Sequence, residues 1–327
     1  MKKFTIALDC MGFESDPKEA IIAAIEFNAL NPNINFLLFG PKDIINPYVQ
    51  HNEAFECIDA LEVINMNDTP ITARKKNNSS MYKAIESVVK NKADAVLSAG
   101  SSGAYTALCY LMMGKISNKI KPGFMSWVPT VDKKGFYFLD VGANKEFTGV
   151  ELYNLGLMAN QFVVSCREIN NPRIGLLNIG SEDFKGFYYH NEANQLFKSN
   201  KALNYIGFTE PRYLINGVCD ILVADGYSGN LVLKALEGSF KTMGGILKKS
   251  YKRNPLAALF SLGIIKNITK TFDYKNNAGA FILGLNKIAM KTHGSADFKQ
   301  FFSSLRMTKS ILEANLINKL EEMKELA

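Results

Sequence analysis

The chain has 327 residues, 47% of them apolar and 21% charged, with a formal net charge of +7. That composition excludes general disorder and supplies ample core for one large domain or two smaller ones. No stretch reaches the ~18–20 apolar residues of a membrane span, and the N-terminus runs into a strand carrying Asp9 rather than a signal-peptide apolar region.

Strands and helices alternate along the chain. The pattern predicts strands at Phe4–Leu8, Asn35–Phe39, Leu61–Ile64 and Ala95–Ser98, and helices at Pro17–Leu30, Ser80–Lys90 and Ala104–Met113. Ser79 and Ser80 are placed to cap the second of these helices. Phe124–Val128 and Tyr137–Val141 read as an antiparallel pair. Leu152–Glu168 reads as a long helix, Ile174–Ile179 as a strand, Glu192–Lys198 as a helix and Ile221–Ala224 as a strand. Short apolar strands separated by helices argue for a doubly wound, mostly parallel sheet covered on both faces, with ligands at the carboxyl ends of the strands. The expected organisation is one α/β domain over residues 1–327.

One phrase is written twice. Residues 93–104 read ADAVLSAGSSGA and residues 219–230 read CDILVADGYSGN. Each is an apolar run, a glycine turn and a helix start, a geometry that gathers backbone N–H groups where phosphate can bind. Small or polar residues also stand at Asp9–Gly12, Asp140–Asn144 and Asn178–Gly186. The expectation is that these strand ends line one crevice.

The stretch after Asn230 differs. Leu231–Tyr251 reads as a long helix, Arg253-Asn254-Pro255 as a turn, and Leu256–Ile265 (LAALFSLGII) as an apolar helix flanked by basic residues. Lys234, Lys241, Lys248, Lys249, Lys252, Arg253, Lys266, Lys270 and Lys275 face only Glu237 and Asp273. A helical hairpin over residues 230–275 is therefore expected to project, as a dimer contact, a membrane-touching tip, or both. The basic excess suits an acidic partner or an anionic surface.

Five cysteines stand without a C-x-x-C pair and read as reduced, buried thiols. His51 and His190 read as isolated surface residues. No zinc spacing, dinucleotide fingerprint, phosphate-loop motif or nucleophile elbow is present, so neither a metal nor a cofactor is expected. What remains is a set of turns with a few charges: Lys185, Asp225 and, in KTHGSAD, His293. A reaction that needs phosphate donors and no protein nucleophile is acyl transfer to phosphate itself, since phosphate is largely dianionic at neutral pH and a thioester is already activated.

IALDCMGFESDP, RKKNNSS, SAGSSGA, FLDVGAN, GLLNIGSEDFKG, VADGYSGNLVLKALEG and KTHGSAD stand in the order seen in the bacterial phosphate acyltransferases of phospholipid synthesis, the PlsX type, which the chain resembles over nearly its whole length. The resemblance implies a three-layer α/β/α sandwich similar to isopropylmalate dehydrogenases and phosphotransacetylases. It implies conversion of acyl-[acyl carrier protein] and phosphate to acyl phosphate and free carrier, with no cofactor.

The implied partners are acyl carrier protein, inorganic phosphate, a second copy of the chain, the inner face of the cell membrane through residues 230–275, and a downstream glycerol-3-phosphate acyltransferase, with no nucleic acid. Carried over by motif, Lys185 would neutralise phosphate or the developing oxyanion, and Asp225 would orient a donor or handle the thiol proton. Ser98, Gly100, Ser102 and Gly103 would form one phosphate turn, with Ser228, Gly229 and Asn230 at the second. Asp9, Gly12, Asn144 and His293 would line the site.

Phe13, Glu14, Ser101 and Ser102 depart from the family pattern, as do Phe208 and Pro211, and the bulk of Phe13 is expected to reshape the acyl entrance. Two alternatives stay open from the sequence, a coenzyme A-dependent phosphotransacylase and a non-catalytic membrane scaffold; a metal-dependent hydroxy-acid dehydrogenase of the same fold would need clustered acidic metal ligands and an adenosine site, and the sequence shows neither.

Overall fold

A computed structural model describes residues 2–253, 263, 267, 271 and 279–323. In chain order it runs β1 (Phe4–Asp9), α1 (Pro17–Leu30), β2 (Ile34–Gly40), α2 (Lys42–Val49), β3 (Phe55–Asp59), α3 (Pro70–Lys75), α4 (Ser80–Val89), β4 (Ala95–Ser98) and α5 (Ser102–Met113). It continues with β5 (Gly123–Val128), β6 (Phe136–Leu139), α6 (Gly149–Arg167), β7 (Arg173–Leu177), α7 (Tyr188–Ser199), β8 (Asn204–Thr209), β9 (Ile221–Val223) and α8 (Gly226–Arg253). Two short strands, β10 (Ala280–Leu283) and β11 (Ile288–Lys291), precede the helices Phe298–Glu313 and Leu316–Glu321.

The chain divides into two compact units. The first comprises Met1–Phe124, Gln161–Asn170 and Lys275–Ala327, the second Met125–Asn160 and Asn171–Tyr274. In the first, the strand order is β3-β2-β1-β4-β11-β10. All neighbours are parallel except β10, which runs antiparallel to β11. In the second, the order is β5-β6-β9-β7-β8, parallel but for the β5–β6 pair. The mostly parallel α/β class read from the sequence is what the chain adopts.

The reasons are local. Central strands such as Ala95–Ser98 and Ile221–Val223 are buried at every position, as apolar runs without alternation require. Asp16 caps α1 by accepting from the Lys18 amide at 3.0 Å, and Pro17 opens the helix where its missing N–H is not needed. Ser79 caps α4 through the Tyr82 amide, as expected.

Some expectations shift. The strand expected at Leu61–Ile64 is instead Phe55–Asp59; the former segment contributes only an isolated bridge from Glu62 to Ser79. Of the cysteines, Cys10, Cys109 and Cys219 are buried, whereas Cys57 and Cys166 are half-buried. Of the expected hairpin, α8 is described to Arg253, and most of the remainder lies outside the described residues. Among the described residues no helix is long and apolar enough to cross a membrane.

Candidate active site

In the first unit, three parallel strands end together. The register pairs Leu8 with Leu97 and Ser98 with Lys291, so Asp9, Ser98 and Lys291 form a row on one face of the sheet. Asp9 and Ser98 are fully buried. Ser98 Oγ donates to Asp9 Oδ2 at 2.7 Å and accepts from the Gly100 amide at 3.1 Å. The Met11 amide donates to Asp9 Oδ1 at 3.3 Å. Asp9 thus ties two strand-end turns together.

Burial pushes its carboxyl up to about 6, against the opposing pull of Ser80, Ser98, the Met11 amide and the Lys291 charge. Lys291 is buried too, and its Nζ donates to the Thr292 carbonyl. Desolvation pulls its ammonium down to about 7, against the raising influence of Asp9 and Glu14.

Gly12 has φ +75°, and a Cβ there would stand 2.6 Å from the Ile64 carbonyl oxygen, so the turn admits only glycine. Ser101 precedes α5 without making a side-chain cap. Ser102 and Gly103 are exposed, and a Cβ on Gly103 would meet nothing within 4 Å. The first amides of α5 thus have no cap from Ser101 and lie at the positive end of the helix dipole. His293 is exposed in the loop after β11.

In the second unit the repeated phrase is used differently. Asp225 Oδ1 accepts from the Ser228 amide at 2.9 Å, so the start of α8 is capped by a carboxylate. Gly229 is buried, and a Cβ there would overlap the Asp140 carbonyl oxygen, while one on Gly226 would overlap that of Asn144. These two glycines let the helix start press on the 140–144 turn. Asp140, fully buried, organises that turn: it accepts from the amides of Gly142 (3.0 Å), Ala143 (2.9 Å) and Asn144 (2.8 Å). Asn144 Nδ2 also reaches Asp140 Oδ2 at 3.3 Å, and Asn230 packs against Gly142.

The other oxygen of Asp225, Oδ2, lies 3.4 Å from His190 Nε2. The expectation that His190 is a surface residue is corrected: it is 6% exposed, because α7 turns its first buried position toward the end of β9. His190 Nδ1 accepts from the Phe187 amide at 3.2 Å. A neutral ring accepting there carries its proton on Nε2 and donates to Asp225. Burial raises the Asp225 carboxyl, but hydrogen bonds from His190 and Ser228 outweigh it, and the group lies below its ordinary range.

Lys185 is half-buried, pairs with Glu182 at 2.9 Å, and packs its chain over Gly180, where a Cβ would stand 2.6 Å from its Cδ. Asn178 Nδ2 donates to the Lys185 carbonyl at 3.1 Å, while its buried Oδ1 has no partner. Asp183 anchors the loop to α7 through Lys198 at 2.6 Å and Asn194 at 3.1 Å.

The predicted residues thus fall into two sets. Asp9, Gly12, Ser98, Gly100, Ser102, Gly103 and His293 belong to the first unit; Asn144, Lys185, Asp225, Ser228, Gly229 and Asn230 belong to the second. Sequence reasoning missed Lys291, His190, Asn178 and Asp140 as individual residues. The strand-end rule had flagged the segments of the last two, and Lys291 opens the KTHGSAD motif. His190 had no local signal.

The family model described as fatty acid synthesis protein matches residues 4–319. A phosphate acyltransferase of Mycoplasma pneumoniae is 54% identical over 324 residues, covering 97% of this chain and 97% of that relative. One from Streptococcus suis is 39% identical over 319 residues, covering 96% and 95%. Among solved structures, a phosphotransacetylase from Streptococcus pyogenes matches with a TM-score of 0.61 at 15% identity, covering 97% of this chain and 94% of that one. A branched-chain phosphotransacylase from Enterococcus faecalis V583 matches with a TM-score of 0.56 at 15% identity, covering 94% and 99%. These two are similar in fold, as the sequence resemblance implied. The chain belongs to the fatty acid synthesis protein family, among the phosphate acyltransferases.

Proposed function

We propose that the chain transfers an acyl group from acyl carrier protein to inorganic phosphate, releasing acyl phosphate and free carrier. The observation that carries this reading is the open start of α5. Its amides have no capping side chain, and the exposed Gly103 leaves room for an anion against them. The balance is simple. A phosphate oxygen bonds to the thioester carbonyl carbon, the C–S bond breaks, and the phosphate proton passes to the leaving sulfur.

Phosphate needs no base to become a nucleophile, so the residues position and stabilise. Ser102 and Gly103 offer amides to phosphate, with Gly100 shaping the turn. Lys185, in the second unit, keeps the charge-neutralising role that the family resemblance implies for it. Asp225, with both oxygens already engaged by Ser228 and His190, is a positioning residue rather than the base.

The same reading takes the protein to be cytoplasmic and dimeric. The basic segment of residues 230–275 lies against an anionic membrane or the acidic carrier, and the product is consumed by an acyltransferase that acts on glycerol 3-phosphate. Loss of thioester is measured with and without phosphate, using carrier-protein and coenzyme A donors side by side. Phosphate-dependent cleavage of the carrier thioester is expected. Cleavage of the coenzyme A thioester alone supports the phosphotransacylase alternative, and no phosphate-dependent cleavage of either overturns the reaction. Lys185→Ala, if folded and fully active, removes Lys185 from the mechanism.

A further inference from the structure

Between the end of β7 and the buried His190, the second unit leaves large apolar side chains in the open. Ile179, Phe184, Phe187 and Tyr188 are 77%, 79%, 64% and 79% exposed. Clustered exposure of this kind marks a binding surface. The rings are also ordered. Tyr188 meets Tyr189 edge-on at 5.6 Å, Phe187 stacks on Tyr189 at 5.6 Å, and Tyr189 lies 4.3 Å from the His190 ring. His190 in turn faces Asp225 at 3.4 Å. An aromatic ladder therefore descends from solvent to the Asp225 carboxylate.

The charges beside it are engaged with one another: Lys185 pairs with Glu182, and Asp183 with Lys198. The loop therefore presents ring surface alongside paired charges.

We propose that Phe187 and Tyr188 form the rail along which the acyl chain of the donor lies, and that they set its chain-length preference. This rests on the acyl-transfer reading above. The occupant follows from the chemistry of the surface. Neutral rings offer contact area to methylenes, and each methylene taken out of water tightens binding roughly fourfold. The place follows from the ladder, which ends at the residues assigned to position the reaction. Phe187 also donates its amide to His190, so a chain seated on its ring bears on the group that orients Asp225.

Phe187→Ala and Tyr188→Ala, singly and together, retain the backbone amide at position 187. The ratio of kcat/KM for a sixteen-carbon donor to that for an eight-carbon donor should fall about tenfold or more in the double variant, chiefly through KM. An unchanged ratio overturns the rail, whether both activities fall together or neither does.

A second arm reads binding without turnover. Phe187→Trp places an indole on the rail, and its emission should shift to the blue when sixteen-carbon acyl carrier protein is added without phosphate, but not when the free carrier is added. A shift with no phosphate-dependent transfer keeps the rail and sinks the proposed reaction. No shift in an enzyme that transfers to phosphate does the reverse. If the double Ala variant instead loses oligomeric mass in light scattering while its chain-length ratio holds, the rings are an interface between copies, and the rail is overturned.

Discussion

His190 Nε2 stands 3.4 Å from Asp225 Oδ2 while the opposite ring nitrogen accepts from the Phe187 amide. One backbone N–H thus fixes which nitrogen carries the proton, and the imidazole is held as a donor to the carboxylate. Asp225 also caps α8 through its other oxygen. A single side chain joins the start of a helix to a buried histidine.

His190→Phe keeps a ring and removes the donor. Asp225 then loses a hydrogen bond that lowers its carboxyl, while burial still raises it, so its pKa moves up. The acid limb of the rate profile should shift to higher pH. With a hydrogen bond to a charged group worth about 1.5–3 kcal/mol, kcat should fall roughly ten- to hundredfold. Unaltered pH profiles of kcat in the variant would remove His190 from the positioning role.

The Asp9–Ser98–Lys291 row makes stability depend on pH in two windows. Asp9 has its carboxyl raised to about 6 in the fold, so the native state holds a proton that the unfolded state releases, and stability falls as pH rises from about 4 to 6. That displacement corresponds to about 3 kcal/mol. Lys291 is lowered to about 7, so the unfolded state binds the extra proton, and stability rises between about 7 and 10.5, by on the order of 5 kcal/mol. Denaturant unfolding of wild type and Lys291→Met at pH 7, 8 and 9 should show the wild type gaining on the variant at each step. Parallel curves would mean that Lys291 does not titrate in this range.

Much of this was legible from residues close in the chain. Asp16-Pro17 announces the start of α1, and the uninterrupted apolar run Ala95–Ser98 announces a strand buried on both faces. The glycine turns were legible as turns, but not their separate uses. Gly229 is needed because Asp140 presses on it, whereas Gly103 has open space around it, and that difference depends on the distant 140–144 turn. Asp9 and Ser98 are 89 residues apart, His190 and Asp225 35, so their hydrogen bonds exist only through the sheet. Lys291 hides in a four-residue strand, where a lysine reads as a surface charge. The edge strand Phe55–Asp59 alternates only partly between buried and open, which left its apolar neighbour Leu61–Ile64 as the more visible candidate.

The two copies of the glycine turn should respond oppositely to the same change. Gly229→Ala forces a methyl into the Asp140 carbonyl and should cost about 3 kcal/mol or more. Gly103→Ala, in open space within a helix, should stabilise by up to about 1 kcal/mol. Thermal unfolding of the two variants beside the wild type checks the pair. Equal losses would contradict the distinction.

Ser101→Asp places a carboxylate at the uncapped start of α5. It should preserve or raise thermal stability by capping, and raise the KM for phosphate tenfold or more by occupying the anion position. An unchanged phosphate KM would move the phosphate site elsewhere.

The most direct measurement follows the acceptor itself. Acyl carrier protein carrying a sixteen-carbon thioester is incubated with phosphate labelled with oxygen-18, and the acyl phosphate product is analysed by mass spectrometry. The account predicts labelled oxygen bridging carbonyl carbon and phosphorus, with one free carrier thiol released per acyl phosphate formed. Release of free fatty acid without labelled acyl phosphate would contradict it.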